Sequence, residues 1–237
     1  MQRTEDTVYY FIDPMTETDI ERVQEIERQS FSTHWSANTY RNELRNPSNN
    51  RYIVGRASPV PPPPRDERHI DTSGRGFFSS VLSMLLGDSS ETPEVRYLIV
   101  GYGGLWTCVD EAHITTIAVD PTYRGRGIGE LLLNGLIDQA LLTKADILTL
   151  EVRVSNLVAQ QLYLKYGFHP FGKRTRYYTD NGEDALIMST DSIQSESYQE
   201  QLSQLRSLLF ERLRQEAADT PVKSATDIPS SSFPRRY

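Results

Sequence analysis

"IAVDPTYRGRGIGELLLNGLID", residues 117–138, passes from an apolar strand-like run, through six residues holding three glycines and two arginines, into an amphipathic helix-like run. Pro121 helps to end the strand. Glycine lets several backbone N–H groups turn toward one point and lets a ligand come close. The first turn of the helix, starting near Gly127, adds unpaired N–H donors and a partial positive charge. Arg124 and Arg126 add full charges. The combination suits a pyrophosphate; the alternative is a glycine-rich turn with two solvated arginines. A Walker loop is excluded, because no Gly-Lys-Ser/Thr follows, and the spacing of Gly125, Gly127 and Gly129 is wrong for a Rossmann dinucleotide site.

Reading outward from this stretch gives strands interspersed with helices. On the N-terminal side, "VYYFIDPM" reads as a strand and "TETDIERVQEIERQSF" as a helix with Thr16 as N-cap. "ANTYRNELR" is a short helix, and "RYIVGRA", "VRYLIVGYGGLWT" and "EAHITTIAVD" are strands. On the C-terminal side, "DILTLEVRV" alternates, with Leu148, Leu150, Val152 and Val154 facing one way. "SNLVAQQLYLKYG" is a helix with Ser155 as N-cap and Gly167 as its stop. "FHPFGKRTRYY" and "EDALIMST" form a closing pair of strands. The pattern is that of an α/β or α+β sheet domain.

Whole-chain properties bound the function. The 237 residues allow one ordinary domain with appendages, and 38% hydrophobic residues leave part of the chain outside a core. A formal net charge of −7 argues against general nucleic-acid or anionic-membrane binding. The single cysteine, Cys108, excludes an internal disulfide, fits a reducing compartment and reads as an inert, buried strand residue. The N-terminus has no apolar signal core, and no apolar run approaches the ~20 residues of a membrane span, so a cytoplasmic location is expected. A monomer is the accompanying expectation. Residues 57–94 open with a proline run and continue in Gly, Ser and charge, an insert between two strands. Residues 217–237 are expected to be disordered.

"RGRGIG" after "IAVDP" resembles the Arg/Gln-x-x-Gly-x-Gly/Ala motif of the GNAT N-acetyltransferases, which use acetyl-coenzyme A. "LEVRVSNLVAQQLYLKYGF", "YYTDNGEDALIM" and "MTETDIERVQEIERQSFSTHWSANTYRNEL" resemble the branch that acetylates protein N-termini, the ribosomal-protein-alanine N-acetyltransferases. The likeness covers residues 8–56 and 95–191 and implies a mixed, largely antiparallel sheet flanked by helices, with central strands splayed around the coenzyme. It implies an acetyltransferase domain over 1–191 and, as substrate, a protein or peptide N-terminus, with ribosomal proteins among the candidates. Ile117, Ala118 and Val119 would lie along the pantetheine arm. Arg124, Gly125, Arg126, Gly127, Ile128, Gly129 and Glu130 would surround the pyrophosphate, with Asn156 touching the coenzyme further on. Glu151 matches the branch's general base and Tyr163 its general acid, while Phe31, Trp35, Tyr177 and Tyr178 fall in two loops lining the peptide groove.

Acetyl transfer needs a neutral amine and a proton for the leaving thiolate. A free α-amine, with a pKa of about 7.7–8.0, is roughly a tenth to a fifth neutral at pH 7, against about one part in a few thousand for lysine. Glu151 lies on the strand face opposite its valines and leucines; helices on both faces would bury it and raise its pKa toward a useful value. The alternative is a surface ion pair with Arg153. Tyr163 carries a phenol protonated at neutral pH, or is a half-buried packing residue. Tyr177, Tyr178 and Trp35 serve equally as core or interface aromatics. The four histidines, 34, 69, 113 and 169, are not spaced as metal ligands, and no metal is expected.

Two apolar patches stand outside the domain. Tyr198, Leu202, Leu205, Leu209 and Leu213 share one face of a helix over 192–216. "FFSSVLSMLL", 77–86, lies in the insert. They cover each other, dock on the domain or recruit a partner, intramolecular packing being favoured. Two other functions stay open: acetylation of a lysine side chain or small amine, and a silent acyl-coenzyme A-binding module.

Overall fold

The computed structural model describes residues 8–59 and 97–219, with side chains to residue 216. Seven strands form one sheet in the order β1-β2-β3-β4-β5-β7-β6. They are β1 (Tyr9–Pro14), β2 (Asn50–Ser58), β3 (Leu98–Cys108), β4 (Glu111–Val119), β5 (Ile147–Arg153), β6 (His169–Tyr178) and β7 (Glu183–Ser189). Every neighbouring pair is antiparallel except β4 and β5. The helices are α1 (Ile20–Ser30), α2 (Ala37–Leu44), α3 (Ile128–Leu142), α4 (Leu157–Lys165) and α5 (Glu196–Asp219). The mixed, largely antiparallel sheet flanked by helices is the expected class.

Local sequence accounts for most boundaries. Thr16 opens the first helical segment: its N–H and hydroxyl both donate to the Asp19 carboxylate at 2.9 Å, and a 3-10 turn precedes α1. Ser36 caps α2 by accepting from the Thr39 N–H. Gly167 takes a left-handed φ of 81° after α4 and stops it. The cap of α4 is Asn156 rather than Ser155: its Oδ1 accepts from the Ala159 N–H at 3.2 Å. Leu148, Leu150 and Val152 are buried, but β5 ends at Arg153, so Val154 leaves the alternation and is 41% exposed. Cys108 is exposed, not buried, because it ends β3 beside the turn where Val109 adopts a φ of 56°.

Two cores sandwich the sheet. Ile20, Val23 and Ile26 of α1 and Tyr40 of α2 pack with Tyr52, Val54 and Tyr102 on one face. On the other, Leu132, Leu133, Leu136 and Ile137 of α3 pack against Leu105, Ile114, Leu148 and Leu150. The α3 helix reads as amphipathic but is buried on its outer side too, because α5 lies over it: Leu209 and Leu213 cover Leu131, with Tyr10 and Ile12 alongside. Arg206 fixes this contact by donating to Asn134 at 3.1 Å and pairing with Asp138. The apolar face of α5 is thus packed intramolecularly. The last helix runs on through 217–219, so the expected disordered tail does not begin at 217. The apolar patch at 77–86, most of the insert and residues 220–237 lie outside the described residues. No helix among the described residues is long and apolar enough to cross a membrane.

Candidate active site

A bulge in β4 creates the central feature. Leu105 pairs with Ile114 and Gly104 with Thr116, so Thr115 is the extra residue. The β4–β5 ladder runs from Glu111 opposite Ile147 to Ile114 opposite Leu150 and stops there. Beyond it β4 keeps β3, with Ile117 opposite Gly103 and Val119 opposite Gly101, while β5 keeps β7, with Glu151 opposite Ile187. The two central strands diverge, leaving the β5-facing edge of residues 115–119 without a strand partner among the described residues. Such an edge accepts an extended ligand. Ile117, Ala118 and Val119 lie on it.

The edge leads to the glycine turn. Gly125 and Gly127 have φ of 80° and 77°, in the left-handed region that favours glycine. Gly127 is the N-cap of α3, so Ile128, Gly129 and Glu130 form its first turn and offer orphan N–H groups. A Cβ on Gly125 would meet nothing within 4 Å, so open space adjoins the turn there. The arginines are partly committed: Arg124 donates to the Val119 carbonyl at 3.2 Å, and Arg126 lies 5.1 Å over the Tyr123 ring. The Glu130 carboxylate faces inward, bound by Lys165 at 2.6 Å, Arg212 at 2.7 Å and the Tyr166 hydroxyl at 2.8 Å. Burial opposes its ionisation, yet these three partners hold its pKa below the ordinary carboxylate value.

Glu151 stands where β5 leaves β4. It is half-buried, its side chain 9% exposed. His113 Nε2 lies 2.9 Å from Oε2 and Arg174 Nε 3.0 Å from Oε1. The pKa of Glu151 is lowered, not raised: the His113 hydrogen bond acts most strongly, and Arg174 adds to it against the cost of burial. The expected alternative partner, Arg153, pairs instead with Asp180 at 2.8 Å and Glu183 at 3.1 Å and stacks 3.8 Å over the Tyr178 ring. Burial pushes the Tyr163 phenol up to about 12, with Tyr178 adding to the shift. Tyr163 is half-buried, edged by the Phe168 ring at 5.6 Å. Tyr178 feels the charge of Glu151 as well, and burial pushes its own phenol up to about 12. Asn156, as cap of α4, sits just past the end of β5.

The two loops around this neighbourhood are aromatic. Phe31 and Trp35 are 37% and 39% exposed in the α1–α2 connection, and Tyr177 is 44% exposed near the end of β6. The first loop is tied back onto α1: the Trp35 N–H donates to Glu27 at 3.2 Å, and Gln24 donates to the Trp35 carbonyl at 2.8 Å. Tyr40 also donates to Glu27 at 3.0 Å, and burial raises the pKa of that carboxyl. The second loop meets the first where the Ser32 side chain reaches the Asp180 carboxylate.

Sequence reasoning missed His113, Thr149, Arg174 and Arg212. Glu111–His113 and Thr149–Glu151 are each two residues apart, which places each pair on one strand face. That spacing could have flagged them, but only the strand register joins the pairs. Arg212 is 82 residues from Glu130, in a helix whose apolar face alone was legible.

Residues 20–168 match the Acetyltransferase (GNAT) family. The chain is 36% identical over 170 residues to a Bacillus subtilis (strain 168) protein whose name assigns it provisionally to the ribosomal protein bS18-alanine N-acetyltransferases; the match covers 72% of this chain and 87% of that one. It is 46% identical over 83 residues to the Escherichia coli (strain K12) ribosomal protein bS18-alanine N-acetyltransferase, covering 34% of this chain and 56% of that one. The crystal structure of the ribosomal-protein-S18-alanine N-acetyltransferase from Escherichia coli superimposes with a TM-score of 0.55 at 26% identity, covering 79% of this chain and 97% of that one. With more than half of its length matched to one family, and a relative aligned across most of both chains, the protein belongs to the GNAT acetyltransferase family and is an acyltransferase.

Proposed function

We propose that this protein transfers the acetyl group of acetyl-coenzyme A to the α-amine of a protein N-terminus, with Glu151 as general base and Tyr163 as general acid. The observation that carries the reading is the divergence of β4 and β5, which leaves an unpaired strand edge ending at the glycine turn on one strand and Glu151 on the other.

The residues present fit the coenzyme. The open space at Gly125 and the first-turn N–H groups of Gly127 to Glu130 suit a pyrophosphate. Arg124 and Arg126 add charge at the rim, the free edge at Ile117, Ala118 and Val119 would take the pantetheine amides, and Asn156 would meet the arm further on. When bound, the coenzyme supplies a thioester. The chain's own residues do the rest. Phe31, Trp35, Tyr177 and Tyr178 would line the entry of a peptide, a role that the exposure of Phe31, Trp35 and Tyr177 supports. Glu151, ionised because His113 and Arg174 favour its charge, takes a proton from the attacking nitrogen. Tyr163, its phenol protonated well above neutral pH, gives its proton to the departing thiolate.

A base with a lowered pKa suits an α-amine better than a lysine, because the α-amine arrives partly neutral. The relatives' names specify an N-terminal alanine, and ribosomal proteins are the first candidates for this chain too. The deciding experiment offers acetyl-coenzyme A with an alanine-starting peptide that also holds a lysine, its N-terminus free or blocked. Mass spectrometry should find acetyl only on the free N-terminus. Equal labelling of the lysine in the blocked peptide would point to a side-chain acetyltransferase, and no turnover on any peptide to a silent binding module.

A further inference from the structure

Four side chains of β4 and β5 stand in one hydrogen-bonded line. Thr149 Oγ1 donates to Glu111 Oε1 at 2.6 Å. His113 Nδ1 lies 2.8 Å from Thr149 Oγ1, and His113 Nε2 lies 2.9 Å from Glu151 Oε2. The register makes this arrangement, since His113 sits directly opposite Thr149. Counting hydrogens fixes the polarity. The Thr149 hydroxyl has one hydrogen and gives it to Glu111, so its oxygen accepts from His113, and Nδ1 is a donor. Nε2 faces an ionised carboxylate, which only accepts, so it is a donor too. Both ring nitrogens of His113 then act as donors between two carboxylates, one touched directly and one reached through Thr149.

This creates a difficulty for Glu151 as a base. His113 and Arg174 stabilise its charged form, and a proton placed on it beside two cations is poorly held. We propose that His113, Thr149 and Glu111 form a side-chain proton relay that neutralises the surroundings of Glu151 as it takes the proton of the acceptor amine.

The transfer balances. The acceptor nitrogen bonds the acetyl carbon, the thioester C–S bond breaks, its thiolate takes the Tyr163 proton, and the N–H proton of the acceptor goes to the Glu151 carboxylate. His113 gives its Nδ1 proton to Thr149 Oγ1, and Thr149 gives its own proton to Glu111 Oε1. Two carboxylates and an imidazolium become two carboxyls and a neutral imidazole, one proton richer in total. Glu111 is half-buried at the start of β4. The line resets when Glu151 loses its proton to water while Glu111 returns its proton to Thr149 and Thr149 returns its own to His113 Nδ1. The Nε2–H stays on Glu151 throughout and keeps the carboxyl in place. The other groups facing Glu151 are Arg174, Tyr177 and Tyr178 on β6. Neither phenol competes for the proton: burial raises both, Tyr178 to about 12. His113, Thr149 and Glu111 are positioning residues here, acting through Glu151.

The proposal rests on Glu151 being the base, and the test separates the two. Steady-state rates with acetyl-coenzyme A and an alanine-starting peptide are measured from about pH 6.5 to 9 for the wild type and for T149V, T149S, E111Q and E151Q, with a melting curve for each. T149V and E111Q should lower kcat at pH 7 about tenfold or more, toward the range of acid–base effects. KM for both substrates should stay within about twofold, and the deficit should narrow as the pH rises and the amine arrives deprotonated. T149S, which keeps the hydroxyl, should restore the rate. If T149V fails to fold, E111Q carries the test from the half-buried end of the line. Wild-type rates in T149V and E111Q beside a crippled E151Q would overturn the relay and leave the base assignment standing. A deficit that is constant across pH, or that T149S does not rescue, would also overturn it. A wild-type rate in E151Q would remove the reading beneath.

Discussion

Arg212, near the end of α5, lies over Gly127 at the start of α3: a Cβ on Gly127 would come within 2.9 Å of Arg212 Nη2 and 3.2 Å of Leu213 Cδ2. The same guanidinium pairs with Glu130 one turn along. The C-terminal helix, beyond the residues matched to the family, is therefore packed against the turn assigned to the pyrophosphate.

That contact separates two glycine substitutions. Gly127→Val should both weaken coenzyme binding and destabilise the fold, since it must strain a φ of 77° and displace Arg212 and Leu213. The backbone strain alone costs about 1–3 kcal/mol. Gly125→Val carries similar strain at a φ of 80° but meets open space, so its loss of acetyl-coenzyme A affinity should far exceed its loss of stability. Calorimetric titration beside thermal melting measures both; unchanged affinity in Gly125→Val would remove the pyrophosphate assignment.

Glu151→Gln should lower the rate at pH 7 by roughly the 10²–10⁴ of acid–base catalysis, or somewhat less because the α-amine is partly neutral already, and recover relative to the wild type toward pH 9. It should also destabilise the protein at pH 7, by about 1–3 kcal/mol, by leaving His113 and Arg174 without their carboxylate. The sign of the pH effect follows from the lowered pKa. The stabilisation is fully present above the unfolded carboxyl value of about 4.3 and is lost as pH falls through the lower folded value. The stability gap between the two proteins should thus close in acid. Urea unfolding at neutral and acidic pH checks it.

Leu209→Ala should cost about 2–5 kcal/mol, because Leu209, on the inner face of α5, is 1% exposed and packs against Leu131. Leu208→Ala, at a position 65% exposed on the same helix, should stay within about 0.5 kcal/mol. Equal, small effects in denaturant titrations would mean that α5 does not dock in solution.

Replacing residues 60–96 by a turn of about four residues should leave the enzyme folded and active. The strands on either side already pair, with Ala57 opposite Leu98, so a short hairpin turn spans the gap. An intact melting transition with lost peptide acetylation would assign the segment to substrate binding instead.

The sequence alone determined the elements and the turn at their centre. Period-two burial at Leu148, Leu150 and Val152, the helical spacing of Ile20, Val23 and Ile26, and the glycines before α3 depend on neighbours a few residues away, and each survives in the structure. The apolar stripe of α5 was legible for the same reason. The tertiary structure decided what those elements meet. The outer face of α3 was closed by a helix dozens of residues later, Cys108 was left exposed by a turn, and the charge state of Glu151 was set by His113, 38 residues away on another strand. That last contact depends on the register of β4 and β5 and on the bulge that ends their pairing. A slip of one residue would turn every side chain of a strand to the opposite face, so strand sequences read one at a time fix which residues share a face but not which carboxylate faces which cation.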